Sequence, residues 1–141
     1  MKKVVKFGGS SLASARQFKK VKAIIDADKT RCYVVPSAPG KRDSKDTKVT
    51  DMLYQCYDAV CAGQSYKRIL DQIRKRYTDI IDGLDLNLNL DFEFAKIEEN
   101  FLKKAGRDYA ASRGEYLNGI IARKLPRFHL RGRSRCDPLR R

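Results

Sequence analysis

Lys3-Val4-Val5-Lys6-Phe7-Gly8-Gly9-Ser10-Ser11-Leu12 is the stretch on which the fold turns. A β-branched apolar run ends in two glycines, two serines follow, and a helical pattern then begins. Glycines let the backbone turn sharply and lie close to a ligand. Ser10, Ser11 and Ser14 are each placed to cap the following helix, whose first N–H groups point back at the turn. Strand, glycine turn and helix start together make an anion pocket, and Lys6 adds a positive charge at its edge. The same residues also read as a plain strand-to-helix turn of an α/β fold. They form neither a Walker A loop, which needs Lys-Ser/Thr after its second glycine, nor a dinucleotide fingerprint, which needs a third glycine.

Working outward, 4–7 read as a buried strand. Over 14–27, Phe18, Val21, Ile24 and Ile25 recur at helical spacing with lysines on the other face. Residues 31–35 form a second strand, stopped by Pro36. Strand, helix and strand in this order make a βαβ unit, whose two strands are parallel. Ligands in such sheets bind beyond the carboxyl ends of the strands, where Gly8-Gly9-Ser10 and Pro36-Ser37-Ala38 both fall. A polar, charge-rich loop follows over 39–49. Thr50 is the expected cap of the next helix, which Gly63 ends. Further helices are expected over 66–81, 91–104 and 107–124. The alternating Leu-Asp-Leu-Asn-Leu-Asn-Leu of 84–90 reads as a short strand or a loop pinned by its leucines.

The chain has 141 residues, enough for one modest domain with its own core. No apolar run is long enough to span a bilayer, and the N-terminus lacks a signal-peptide pattern, so a cytoplasmic protein is expected. Cys32, Cys56, Cys61 and Cys136 form no C-x2-C pair, and the sole histidine is His129, so no metal site is expected. The net charge of +14 suggests a polyanion as partner. Six arginines and a single aspartate of that balance lie in 125–141. The remaining charge is interleaved with acids over helical surfaces, the ordinary place for solvated Lys and Arg. A small basic nucleic-acid-binding module is the alternative reading. It calls for aromatics interleaved with arginine on a sheet face, and here most aromatics fall on helix stripes.

Four stretches together resemble the N-terminal part of an aspartate kinase of the amino-acid kinase family. They are Lys6-Phe7-Gly8-Gly9-Ser10-Ser11, Val34-Val35-Pro36-Ser37-Ala38, Lys48-Val49-Thr50-Asp51 and Ser112-Arg113-Gly114-Glu115-Tyr116-Leu117. The first and last are specific, the middle two weak alone, and the likeness covers 1–124. It implies a three-layer αβα fold with parallel strands and several helices, of which this chain is an N-terminal fragment. It also implies phosphoryl transfer from ATP, with Mg2+, to the β-carboxylate of L-aspartate, the first step toward lysine, threonine and methionine. By the same resemblance Lys6 is catalytic and lies on the phosphates, and Gly8, Gly9 and Ser10 cradle them. Ser37, Thr50 and Glu115 hold the amino acid, and the full-length enzyme allows a homo-oligomer. Taken singly, Thr50 reads as a cap, Ser37 as a turn residue and Glu115 as a solvated carboxylate. Their occurrence together and in order points to a substrate site. The family's domain extends beyond this chain and supplies the rest of the nucleotide pocket, so the isolated chain is expected to be inactive.

Over 125–141 the helical periodicity stops and the chain becomes Leu-Pro-Arg-Phe-His-Leu-Arg-Gly-Arg-Ser-Arg-Cys-Asp-Pro-Leu-Arg-Arg. Codons exist for this tail whose frame, shifted by one base, reads Tyr-Leu-Gly-Phe-Thr-Phe-Val-Asp-Ala-Ala-Asp-Val-Ile-Arg-Phe-Asp. That is a helix end, a glycine turn and a strand, which resembles the family at this position. The expectation is an out-of-frame, disordered segment. A genuine basic tail is the other reading. The coding DNA across Lys124 decides between them.

Overall fold

The computed structural model describes residues 1–125; the tail expectation for 126–141 lies outside the described residues. The order is β1 (Lys3–Phe7), a short 3-10 turn (Gly9–Leu12), α1 (Ala15–Ala27), β2 (Arg31–Pro36), α2 (Val49–Cys61), α3 (Lys67–Gly83), α4 (Asp91–Leu102) and α5 (Arg107–Lys124). β1 and β2 pair in parallel, Val5 opposite Val34 and Lys6 opposite Val35, as the βαβ reading requires. The protein is thus α/β, with a two-stranded parallel sheet among the described residues and helices packed beside it. None of those helices is long and apolar enough to cross a membrane.

Alternation along the strands splits the sheet into two unlike faces. Cys32 and Val34 are buried, and Val5 and Phe7 pack against the core from the same face. Val4 and Val35 on the other face are 69% and 43% exposed. The strand expected to be buried over 4–7 is therefore covered on one side only by the described residues. Its β-branched composition reports strand character and leaves burial open.

The helices supply most of the core. α2 packs on α3, α4 and α5, and α3 also touches α1 and α5. Phe94, Phe101 and Tyr77 are fully buried, with the Tyr57 and Phe101 rings edge to face at 5.3 Å. Buried aromatics of this size contribute roughly 1.5–3 kcal/mol each. Leu125, assigned from sequence to the tail, is also buried against this core.

Two local expectations change, and of the two readings of 84–90 the loop pinned by its leucines is the one that forms. Ser10 and Ser11 lie in the 3-10 turn, and Ser14 alone caps α1, its hydroxyl accepting the Gln17 N–H at 3.4 Å. α2 begins one residue before Thr50, with Lys48 at the capping position and no side-chain cap. The main-chain bond from Val49 N–H to Pro39 O, 3.0 Å, starts the helix early by anchoring it to the preceding loop. Residues 84–90 form a loop, with Leu84, Leu86 and Leu88 packed against the core and Asp85 at φ 54°. A positive φ at Asp85 breaks the extended run that alternation alone suggests.

Candidate functional site

A crevice of about 460 Å³ opens past the carboxyl ends of the two strands. Gly9, Ser10, Ser37, Thr50 and Glu115 line it, so five residues expected from four separate stretches meet in one place. Gly40, Lys41 and Lys48 complete the wall on the loop between β2 and α2. Lys6 and Gly8 do not line it. Lys6 stands on the uncovered sheet face with Val4, opposite Val35. Gly8 is exposed, and a Cβ built on it would meet nothing within 4 Å.

The crevice depends on two close approaches that only glycine permits. The Gly40 N–H donates to Gly9 O at 2.8 Å. A Cβ on Gly40 would stand 2.6 Å from the carbonyl carbon of Gly9 and 2.7 Å from the Ser10 nitrogen, both rigid backbone atoms. On the opposite side, a Cβ on Gly114 would stand 2.6 Å from the Ala38 Cβ. Gly114 thus lets α5 lie against the loop after β2, and the next residue, Glu115, reaches the crevice.

Polar side chains from the helices fix these pieces. Ser37 N–H donates to Phe7 O at 3.2 Å, extending the sheet pairing into the loop. Buried Asn118 donates from Nδ2 to Ser37 O at 2.8 Å, while its Oδ1 has no partner among the described residues. Tyr77 donates its hydroxyl to Gly114 O at 2.9 Å, and burial pushes its phenol far above the usual range, so it remains a neutral donor. Arg76 holds Gly40 O and Thr47 O at the two ends of the loop. The Arg42 hydrogen bond, against some burial, keeps the Asp46 carboxyl well below the usual carboxylate range. The thiol of buried Cys56, pushed up to about 11 by burial and then by Glu98, is no nucleophile at neutral pH.

Sequence reasoning missed Lys41, Lys48, Asn118, Tyr77 and Arg76. Asn118 had a signal, since it follows Glu115 by three residues and so shares its helix face. Arg76 had none. In Arg74-Lys75-Arg76 it is indistinguishable from a solvated charge run.

Hydroxyls, main-chain groups of Gly9, two ammonium groups and one carboxylate at the carboxyl end of parallel strands define an α/β unit with a crevice for a small, zwitterionic or anionic molecule. Similarity then supplies a more particular class. The chain is 46% identical over 88 residues to aspartokinase 3 of Bacillus subtilis, a match over 62% of this chain and 19% of that protein. It superposes on the crystal structure of Clostridium acetobutylicum aspartate kinase with a TM-score of 0.82 at 50% identity, covering 86% of this chain and 28% of that one. No family model matches the chain. The likeness to aspartate kinases is therefore established in sequence and fold, and the match spans only 19% and 28% of the length of these relatives.

Proposed function

We propose that this chain carries the amino-acid wall and part of the phosphate wall of an aspartate kinase, which transfers the γ-phosphoryl group of ATP to the β-carboxylate of L-aspartate. The observation that carries this reading is the convergence of Gly9, Ser10, Ser37, Thr50 and Glu115 on one crevice in a chain similar to aspartate kinases. Glu115 is the partner for the substrate ammonium, and Ser37 and Thr50 bind its polar groups. The aromatics that a nucleic-acid module would present on a sheet face are instead largely in the helical core, including Phe18, Tyr77, Phe94 and Phe101.

A carboxylate nucleophile is ionised at neutral pH, so no general base is needed. Catalysis then rests on positioning and charge neutralisation. The open surface at Gly8 leaves room for a phosphate group beside the main chain of Gly9 and Ser10, and Lys6, outside the crevice lining, is assigned to the same phosphates by the resemblance to aspartate kinases alone. No group of three or more His, Cys, Asp or Glu side chains among the described residues could hold a metal ion. In the proposed reaction Mg2+ neutralises phosphate charge on the nucleotide.

The test is a titration of the 15N-labelled chain with L-aspartate and with succinate, which lacks the ammonium. L-Aspartate is expected to shift the amides of Gly9, Ser37, Thr50 and Glu115 and to bind more tightly than succinate. Glu115→Gln is expected to weaken L-aspartate about tenfold, the scale of one charged hydrogen bond. It should leave succinate nearly unchanged. Equal weakening of both ligands would remove Glu115 from ammonium recognition. With ATP and magnesium added, hydroxylamine is expected to trap no acyl phosphate from this chain alone.

A further inference from the structure

The crevice wall formed by 40–48 is unusual for a loop so rich in charge. It contains Lys41, Arg42, Asp43, Lys45, Asp46 and Lys48 and has no helix or strand of its own. Such segments are ordinarily the least stable parts of a fold. This one is tied at both ends to a single side chain. Arg76, in the middle of α3, is only 4% exposed. Its Nη2 donates to Gly40 O at 2.5 Å and its Nη1 to Thr47 O at 2.8 Å. The same Nη1 lies 3.3 Å from Asp46 Oδ2. Asp46 in turn accepts the Arg42 main-chain N–H at 3.0 Å and Arg42 Nε at 2.7 Å.

Burying a guanidinium is costly, and its Nε finds no partner among the described residues. An apolar side chain would fill the same space at lower cost. What an apolar side chain cannot do is satisfy two carbonyls, buried Gly40 O and half-buried Thr47 O, that stand seven residues apart in sequence. The planar fork of arginine can serve both at once. The residues it joins border the ligand space: Gly40 lines the crevice, and Thr47 directly precedes the lining residue Lys48.

We propose that Arg76 is a positioning residue for the crevice, stapling Gly40 to Thr47 so that Lys41 and Lys48 meet the anionic end of the ligand from a fixed wall. The contact is made through the loop; Arg76 itself does not line the crevice. The ligand class, a small molecule bearing carboxylate or phosphate, rests on the function proposed above. The staple itself rests on the geometry alone.

The test is amide hydrogen exchange on the full 141-residue chain. It follows the Gly40 and Val49 N–H groups, whose bonds to Gly9 O and Pro39 O bracket the loop. Arg76→Met is expected to speed exchange at both by about tenfold or more, the scale of a hydrogen bond to a charged group. Amides of α4 and α5 should stay within about twofold. Arg76→Lys should recover only part of the protection, because an ammonium has no fork. Asp46→Asn leaves Arg76 in place and should give a smaller increase at the same two amides. It decides the matter should Arg76→Met not fold. Unchanged exchange at Gly40 and Val49, or an equal rise across α4 and α5, overturns the proposal. L-Aspartate is the second readout, expected to bind at least about tenfold more weakly to Arg76→Met. If the unsubstituted chain does not respond to L-aspartate, the functional reading fails while the exchange pattern still judges Arg76. If it does respond and Arg76→Met binds equally well, the positioning role fails while the functional reading stands.

Discussion

The helical body and the sheet end are held together by opposite means. In the body, Phe94, Ile97, Phe101, Leu117 and Ile121 are buried in one apolar core, while Phe92, Leu102 and Tyr116 on the same helices remain exposed. At the sheet end one face is covered and the other is open, and the crevice sits beside it. A Cβ is missing at Gly114, where α5 meets Ala38, and at Gly40, where the two loops after the strands touch. Arg76 and Asn118 reach from the body to main-chain carbonyls of the loop after β2, and Tyr77 holds Gly114 O within the body. The body therefore supplies most of the buried core, and the crevice is framed jointly by the sheet-end loops and by Thr50 of α2 and Glu115 of α5. The seam depends on hydrogen bonds and glycines, whose effects are local.

The largest effect should come from breaking the body. Phe94 packs against Tyr77 at 6.0 Å between ring centroids, with the Arg74 guanidinium 5.1 Å from its ring. Phe94→Ala is expected to cost about 3–5 kcal/mol, since the cavity collapses only partly. Thermal or urea unfolding measures it. A loss below about 1 kcal/mol would mean that the body is not where stability resides.

Breaking the seam should cost less and reach function more directly. Gly40→Ala is expected to cost about 1–3 kcal/mol, as overpacking against backbone that cannot move aside. It should also abolish the L-aspartate response, because the new methyl group parts the two loops that frame the crevice. Unfolding and titration of one sample separate the two effects. Normal ligand binding in this variant would show that the contact between Gly9 and Gly40 does not shape the site.

The smallest effect is expected on the open sheet face. Val4→Thr should change stability by no more than about 0.5 kcal/mol, the usual range for an exposed position. A loss above about 1 kcal/mol would show that this face is covered in solution, and the contrast between the two ends would then have to be redrawn.

Much of this architecture was legible beforehand. Lys3–Phe7, Ala15–Ala27 and Arg31–Pro36 emerge close to the positions that apolar periodicity assigns, because side-chain alternation is a local property. Arg107–Lys124 matches its expected bounds, with Gly106 at φ 112° just before it. Gly9, Ser10, Ser37, Thr50 and Glu115 stand out in four motifs of the sequence, and the fold brings them to one crevice. What stayed illegible was dictated by neighbours distant in the chain. Thr50 lost its capping position because Pro39 anchors Val49. Lys6 is the opposite case: strand alternation alone sets it beside Val4 on the sheet face away from the core, outside the crevice lining.

By itself the sequence determined the βαβ start, the helices and the residue types that a zwitterionic ligand would need, because hydrophobic period, glycine turns and charge are written residue by residue. Tertiary structure decided which face of β1 is covered and that Gly9 meets Gly40. It also decided that Arg76, alone of its charge run, turns inward to two carbonyls. These depend on distances between segments up to dozens of residues apart, and a buried guanidinium differs from a solvated one only in what surrounds it.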